Sequence, residues 1–353
     1  VAPITELTSY GLVGKYITRE LLKQGREICL HPIGNYDDDQ FILDNINLGN
    51  LNGPFVKLFH QNQLQGLPET SMRIGFPIFE LDRLNKQEQD QLRHVDKLFV
   101  CSQWAKDVAA QYFPANLISI IPLGYDPSVF YPQHANRWYT HSKTTRFLNI
   151  GKWEYRKGHD ILVEAFAAAF SAYDDVSLTM HCENIFIGEE NKWWEELYRN
   201  KLGGRVKFTY RHDYPKHTDL ANLYASNDCF VAPTRAEGWG MPILEAMACG
   251  LQVITTNVTG QSEYISGENA LLVEADGTEI ASDGAWFFPE RTEGGRWAKL
   301  GDNAMESLVE NLRKIHALKN LNGYVGPVNM GGAAEFTWDN TVDKFIKGVE
   351  GVS

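Results

Sequence analysis

Cysteine is scarce in this chain: Cys29, Cys101, Cys182, Cys229 and Cys249 are the only five among 353 residues. The number is odd, no two stand as C-x-x-C, and each lies in or beside an apolar run such as Lys97-Leu98-Phe99-Val100-Cys101. A disulfide-stapled scaffold and a zinc-ribbon spacing are therefore set aside, and reduced, buried thiols in a cytosolic protein are expected. Long hydrophobic runs are also missing. No window approaches ~18 consecutive apolar residues, so no membrane-spanning helix is expected. No basic-then-apolar segment opens the chain, so no secretory signal is expected either. The sequence starts Val1-Ala2-Pro3 without Met, and part of a first strand is expected upstream. Positive charge is in deficit, with 33 Lys and Arg against 45 Asp and Glu and a net charge of -12. That balance argues against a general nucleic-acid binder, whose affinity rests on a basic surface.

What is present is ordinary globular composition, 43% apolar and 22% charged, in a chain longer than one typical core. Two domains are expected. Short β-rich runs at 27–32, 54–60, 72–76, 97–101 and 118–122 alternate with helical patterns at 12–23, 87–95 and 104–112. After a polar break at 131–146, strands at 146–150, 176–182, 205–210, 228–232, 251–255 and 270–273 alternate with helices at 160–172, 192–201, 219–225 and 242–248. This alternation predicts βαβ units and parallel sheets, with ligands bound outside the carboxyl ends of the strands. The expected organisation is a first α/β domain over 1–130, a linker over 131–145, a second α/β domain over 146–332, and a closing segment over 333–353 in which Phe336-Thr337-Trp338 begins an amphipathic helix through Lys347.

The densest chemistry lies in Pro233-Thr-Arg-Ala-Glu237-Gly-Trp-Gly-Met-Pro242-Ile-Leu-Glu245-Ala-Met-Ala-Cys-Gly250. A strand ends before this string, and a helix is expected from Pro242, a residue suited to the first helical position. Gly238 and Gly240 allow close approach of a ligand to the backbone. The helix start offers N–H groups and a positive dipole to a phosphate or sugar hydroxyl. Glu237 stays in the loop while Glu245 sits about one turn into the helix, so the two carboxylates face different parts of one extended ligand. A second string, Gly151-Lys152-Trp-Glu-Tyr-Arg156-Lys157-Gly158, places cations in a loop between a strand and a helix, where they can stabilise a departing diphosphate.

The string from Glu237 to Gly250 resembles the E-x7-E signature of retaining glycosyltransferases of the GT-B fold, specifically glycosyltransferase family 4, with Trp239 where Phe is usual and Gln252 where Pro is usual. The resemblance implies that Glu237, with the amides of Gly238, Trp239, Gly240 and Met241 and the turn at Pro242, holds the donor sugar, and that Glu245 holds the ribose hydroxyls. The string from Gly151 to Gly158 is similar to the family's G-R-x4-K-G element, which binds the diphosphate. The resemblance implies that role for Lys152 and Lys157. Lys152 replaces Arg, which keeps a point charge and loses the bidentate fork, and Arg156 is the expected compensation. Ile121-Pro-Leu-Gly-Tyr-Asp126 followed by Phe130 resembles a P-x-G-[VY]-D segment with a structural job.

In the first half, Ser9-Tyr10-Gly11-Leu-Val-Gly14 stands where the family has a glycine-rich loop near the donor, so Gly11 is a donor-side candidate. It does not complete a dinucleotide G-x-G-x-x-G. Glu80, in Phe76-Pro-Ile-Phe-Glu80-Leu-Asp82-Arg83, is a candidate contact to the transferred sugar or acceptor hydroxyl, with a surface helix-entry acid as the alternative. His60 reads as a structural strand-end histidine. The D-x-D string at Asp37-Asp38-Asp39 reads as a solvated turn rather than a metal site. The Lys15, Arg19, Lys23 stripe reads as an ordinary exposed face paired through Glu20, with a weak peripheral contact to anionic lipid as the alternative.

Together these readings imply a GT-B protein of two Rossmann-like domains with a nucleotide-sugar cleft, a cytoplasmic hexosyltransferase of polysaccharide biosynthesis. Its expected donor is a nucleotide diphosphate sugar, UDP-sugar favoured, and its acceptor a glycan or lipid-linked hydroxyl. No cofactor or metal is expected, because lysines and a helix terminus serve the leaving group. The alternatives are an epimerase or glycan phosphorylase on the same fold, or a catalytically silent sugar-nucleotide-binding module.

Overall fold

The computed structural model describes residues 1–34, 37, 39–46, 53–132, 143–323 and 325–351. It divides into two compact units: Val1–Tyr125 with Pro289–Gly295 and Glu335–Ser353, and Asp126–Phe288 with Arg296–Ala334. The middle of the expected linker, 133–142, lies outside the described residues. Asp126 to Phe130 groups with the second unit because Phe130 is buried there against His217 and Tyr224.

The first unit holds a four-stranded parallel sheet among the described residues, ordered β1-β2-β3-β4 from Phe55–Leu58, Arg73–Phe76, Lys97–Val100 and Ile118–Ile120. The helices of this unit are α1 (Ser9–Lys23), α2 (Gln40–Asn45), α3 (Lys86–Gln91) and α4 (Gln103–Ala109), with the short α9 (Pro289–Thr292) and the final α11 (Trp338–Glu350). Side-chain caps fix the starts of α1 to α4 and α11: Thr8, Asp39, Asn85, Ser102 and Thr337 each accept a backbone N–H in the first turn. The chain returns at its end to this unit, where Trp338 stacks on Tyr16 with centroids 5.0 Å apart and Phe345 packs on Phe99. The strand expected at 27–32 is replaced by isolated bridge positions at Cys29 and Pro32, the latter pairing in parallel with Ala2.

The second unit is a six-stranded parallel sheet among the described residues. Its strands are β5 (Thr145–Gly151), β6 (Val176–Cys182), β7 (Val206–Thr209), β8 (Cys229–Ala232), β9 (Gln252–Thr255) and β10 (Leu271–Leu272), ordered β10-β9-β8-β5-β6-β7. Renumbered within the unit, this is the 3-2-1-4-5-6 order of a Rossmann sheet, and the direction of winding reverses between β5 and β8. Strand β8 is buried along its whole length, as expected for a parallel strand covered on both faces. Helices α5 (His159–Ala169), α6 (Glu190–Leu202), α7 (Leu220–Ala225), α8 (Met241–Ala248) and α10 (Asp302–Asn322) accompany it. An antiparallel pair, β11 (Thr278–Ile280) with β12 (Arg296–Ala298), was not foreseen. Nor was α10, whose buried stripe is the narrow series Ala304, Leu308, Leu312, Ile315 and Lys319 in an otherwise polar helix. Lys319 occupies a core position because its ammonium meets Asp228 at 2.8 Å.

The solvated-turn reading of the D-x-D string needs revision. Asp37 is not a solvated turn residue, since it accepts from the Thr5 hydroxyl and the Glu6 amide. Asp39 is buried, caps α2 and pairs with Arg19 at 2.7 Å, whereas Asp38 lies outside the described residues. The Lys15, Arg19, Lys23 stripe is matched by acids, Lys15 with Glu6 and Lys23 with Glu20. No helix among the described residues is long and apolar enough to cross a membrane.

Candidate functional site

The loops that leave β5 and β8 flank the point where the sheet's winding reverses, which is where open α/β sheets bind ligands. The β5 loop carries Lys152, Glu154, Arg156 and Lys157 and turns into α5 through Gly158, whose φ of +70° suits glycine. A Cβ there would stand 1.9 Å from the Pro233 carbonyl oxygen, so the absent side chain lets the β5 loop seat directly on the β8 loop. Arg235 N–H donates to the Arg156 carbonyl at 2.7 Å. The Arg235 guanidinium donates to Tyr155 O and to both oxygens of Asp160, and lies 3.6 Å from the centre of the Tyr155 ring. One buried arginine thus ties the two loops together.

Seated this way, the loops assemble an ion cluster. Lys157 Nζ lies 2.6 Å from Glu237 Oε1, and Arg156 bridges Glu237 Oε2 at 3.2 Å and Glu154 Oε2 at 2.8 Å. Lys152 reaches Glu154 at 3.4 Å and places its ammonium over the Phe186 ring. Burial alone would raise the Glu237 carboxyl, but Lys157 and Arg156 outweigh it and hold its pKa below the ordinary value. Burial likewise opposes ionisation of Glu154, and Arg156, Lys152 and Lys157 bring it down to about 2. Both carboxylates are ionised at neutral pH. Beneath them His159 is pushed down to about 3, first by burial and then by Lys157, so its ring is neutral.

Arg156, expected to replace the lost fork at a diphosphate, instead turns its guanidinium onto protein: Ala236 O at 2.6 Å, Glu237 and Glu154. Lys152 is the most accessible cation of the string, at 38% side-chain exposure against 15% for Lys157 and 6% for Arg156. A recess opens beside this cluster, lined by Lys157, Glu237, Gly240 and Pro242 together with Asn149 and Thr234.

Helix α8 starts at Met241 behind Gly240, with Pro242 at its second position rather than its first. Gly240 has φ of +87°, and a Cβ would meet the Tyr264 hydroxyl at 2.8 Å. That hydroxyl holds the carbonyls of Trp239 and Gly240, each at 2.8 Å. Trp239 is buried, with its ring 5.1 Å from Tyr264, and the Gly238 carbonyl rests against Gly260. The Glu237 amide donates to Thr259 Oγ1 and its carbonyl accepts from Gly260 N–H. The turn is therefore fixed by neighbours before any ligand arrives.

Glu245 is buried on α8, where an unpaired carboxylate would be costly. His217 Nε2 meets Oε1 at 2.8 Å and the Tyr224 hydroxyl donates to Oε2 at 2.9 Å. Burial and the neighbouring Glu245 raise the Tyr224 pKa well above the ordinary value, so it remains a donor. His217 and Tyr224 stand 28 and 21 residues before Glu245, and no local pattern in the sequence announces them. Glu154 was inside the charged string, where its alternation with cations was the available signal.

The remaining candidates lie in the first unit. Gly11 lies within the first turn of α1 rather than in a loop, and a Cβ would meet Thr5 O at 2.2 Å, which gives its missing side chain a packing reason. Tyr10 exchanges hydrogen bonds with Ile78 and lies 4.6 Å, ring to ring, from His60. Glu80 follows β2 and adds to the raised pKa of Tyr10, whose main cause is burial.

Residues 144–284 match the family Glycosyl transferases group 1. The chain is 30% identical over 144 residues to the lipopolysaccharide core biosynthesis mannosyltransferase LpsB of Rhizobium meliloti (strain 1021), an alignment spanning 39% of this chain and 40% of that protein. The chain spans less than half the length of such curated relatives. Among solved structures it resembles a glycosyltransferase from Rickettsia africae ESF-5, with a TM-score of 0.59 and 14% identity over 99% of this chain and 83% of that one. It also resembles Anabaena Alr3699/HepE in complex with UDP and glucose, with a TM-score of 0.54 and 16% identity over 80% and 72% of the two chains. The fold is GT-B.

Proposed function

The chain carries a Glycosyl transferases group 1 segment on a GT-B fold, and we propose that it moves a hexose-type sugar from a nucleotide diphosphate, UDP-sugar favoured, to a glycan or lipid-linked hydroxyl with retention at the anomeric carbon. The observation that supports this most is the cluster at the winding reversal, where Lys157 and Glu237 meet at 2.6 Å beside a recess that also reaches the start of α8. A diphosphate gains negative charge as the glycosidic bond breaks, and preorganised cations are the economical response. In this reading Lys152 and Lys157 hold the diphosphate. An ammonium has three N–H donors, so Lys157 can keep Glu237 and still reach a phosphate oxygen.

Glu237, ionised and clamped, accepts hydroxyls of the donor sugar, with Gly238, Trp239, Gly240 and Met241 supplying backbone around it. Glu245 accepts from the ribose. Arg156 acts as a positioning residue that fixes Glu154 and Glu237. No metal takes part in this reading.

The test is a panel of UDP-, GDP- and ADP-sugars with purified protein, with and without EDTA, following sugar loss by chromatography. Donor turnover insensitive to EDTA is expected. Turnover abolished by EDTA sinks the metal-free reading, full turnover by Glu237→Gln combined with Glu245→Gln sinks the site, and an isomerised donor or phosphate-dependent breakdown sinks transfer itself.

A further inference from the structure

Glu245 is held in a way its proposed role alone does not require. Its carboxylate is 3% exposed, and each oxygen already has one protein donor: His217 at 2.8 Å on Oε1 and Tyr224 at 2.9 Å on Oε2. A carboxylate oxygen can only accept here, so His217 Nε2 carries the proton of that contact. The two donors come from one continuous stretch, His217 from the 3-10 turn His217–Asp219 and Tyr224 from α7, which follows it directly. Their rings are backed by Phe130, buried, with centroids 5.3 Å from His217 and 6.0 Å from Tyr224. The clamp is thus packed from behind.

An ionised carboxylate offers about four lone-pair sites, two per oxygen. With one site on each oxygen filled, one remains on each. If the carboxylate were free to turn, it would accept a single hydroxyl as readily as two. Held from both sides, it presents one remaining site per oxygen, spaced for two adjacent hydroxyls at once. We propose that His217 and Tyr224 are positioning residues that make Glu245 selective for the vicinal diol of a ribose over a sugar lacking it, and so set the preference of this protein for ribonucleotide donors. The inference rests on the reading that Glu245 meets the ribose. Polar groups built to pair with a hydroxyl discriminate strongly, because a ligand without it leaves them buried and unpaired.

The experiment measures binding by calorimetry of UDP, GDP and ADP and of their 2′,3′-dideoxy counterparts to wild type, Glu245→Gln, His217→Leu, His217→Gln and Tyr224→Phe. For whichever base binds, wild type is expected to prefer the ribo form by about tenfold or more, the scale of one to two hydrogen bonds to a charged group. Tyr224→Phe removes only a hydroxyl, and it and His217→Leu are expected to shrink that preference to about threefold or less while dideoxy binding stays within about twofold of wild type. His217→Gln, which restores an N–H donor, is expected to retain most of the preference. Equal weakening of ribo and dideoxy forms in both His217→Leu and Tyr224→Phe would mean a merely structural clamp and overturn the inference. So would a wild-type preference in both variants alongside its loss in Glu245→Gln. An undiminished preference in Glu245→Gln, or none in wild type, overturns the underlying ribose assignment instead.

Discussion

Lys157 Nζ stands 2.6 Å from Glu237 Oε1 across 80 residues of sequence, joining a loop that leaves β5 to one that leaves β8. The contact is part-buried, and Glu237 has Arg156 as a second partner, so the pair is one edge of a network rather than an isolated bridge. Lys157→Met is expected to destabilise the fold by about 3 kcal/mol, because it leaves Glu237 with half its compensation in a dry site. Adding Glu237→Gln should recover part of that loss, with a coupling energy of about 1–3 kcal/mol in a double-mutant cycle followed by urea unfolding. Donor turnover should fall by about two orders of magnitude in Lys157→Met. Strictly additive stabilities would show that the two side chains do not interact in solution.

Arg235 makes a different kind of link, through geometry rather than charge alone. Its fork spans both oxygens of Asp160 and the Tyr155 carbonyl, and its plane lies on the Tyr155 ring. Arg235→Lys keeps the charge and loses fork and stacking. It should lower stability by about 2 kcal/mol or more and reduce donor turnover, although Arg235 is proposed to touch no substrate. Wild-type unfolding midpoints in this variant would rule out the tie between the loops.

Gly158 and Gly25 have nearly the same backbone, φ of +70° and +73°, in very different surroundings. A Cβ at Gly158 collides with Pro233 O at 1.9 Å, whereas one at Gly25 meets nothing within 4 Å. Gly25→Ala should therefore cost about 1 kcal/mol, the strain of a left-handed alanine. Gly158→Ala should cost well over twice that and also impair donor binding, since the loops can no longer seat on each other. Similar melting temperatures for the two variants would contradict the close approach.

His159 gives the fold an acid-sensitive element. Its folded pKa is about 3, below an ordinary value of 6.5, with burial as the first cause. Above pH 6.5 both folded and unfolded chains hold the ring neutral and there is no effect. Below it the unfolded chain takes up a proton that the folded chain refuses, so stability falls as pH drops from 6.5 toward 3. At pH 5 that loss is about 2 kcal/mol. His181, at about 4, acts in the same direction over much of the same window, while Glu154 loses its contribution only as pH falls below the ordinary carboxylate range toward 2. His159→Gln should therefore unfold at a midpoint less dependent on pH between 7.5 and 5 than wild type. Equal pH dependence in the two proteins would show that His159 is reachable by protons in the folded state.

Much of the fold was legible in the sequence because its signals are local. Alternating β-rich and helical runs announce parallel α/β sheets, the Glu237 to Gly250 string marks a strand-to-helix turn, and the resemblance it carries identifies the GT-B architecture. Helix α10 escaped because its apolar stripe is narrow and ends on a lysine. Lys319 is a core residue only through Asp228, 91 residues away. Asp39 likewise read as solvated because its partners, Arg19 and Lys15, belong to another helix.

The sequence by itself determined which chemistry is available: two carboxylates nine residues apart inclusive, cations in a loop after a strand, and glycines where the backbone must turn or be approached. Tertiary structure decided how those groups are spent. Arg156 faces Glu154 and Glu237 because the β5 and β8 loops seat on one another, and Glu245 finds a partner for each oxygen in a buried helix because His217 and Tyr224 arrive from elsewhere in the chain. Charge and residue type are properties of the chain read in order. The partner that stabilises a buried charge is set by the winding of the sheet, which brings β5 beside β8 and makes neighbours of residues that the sequence keeps far apart.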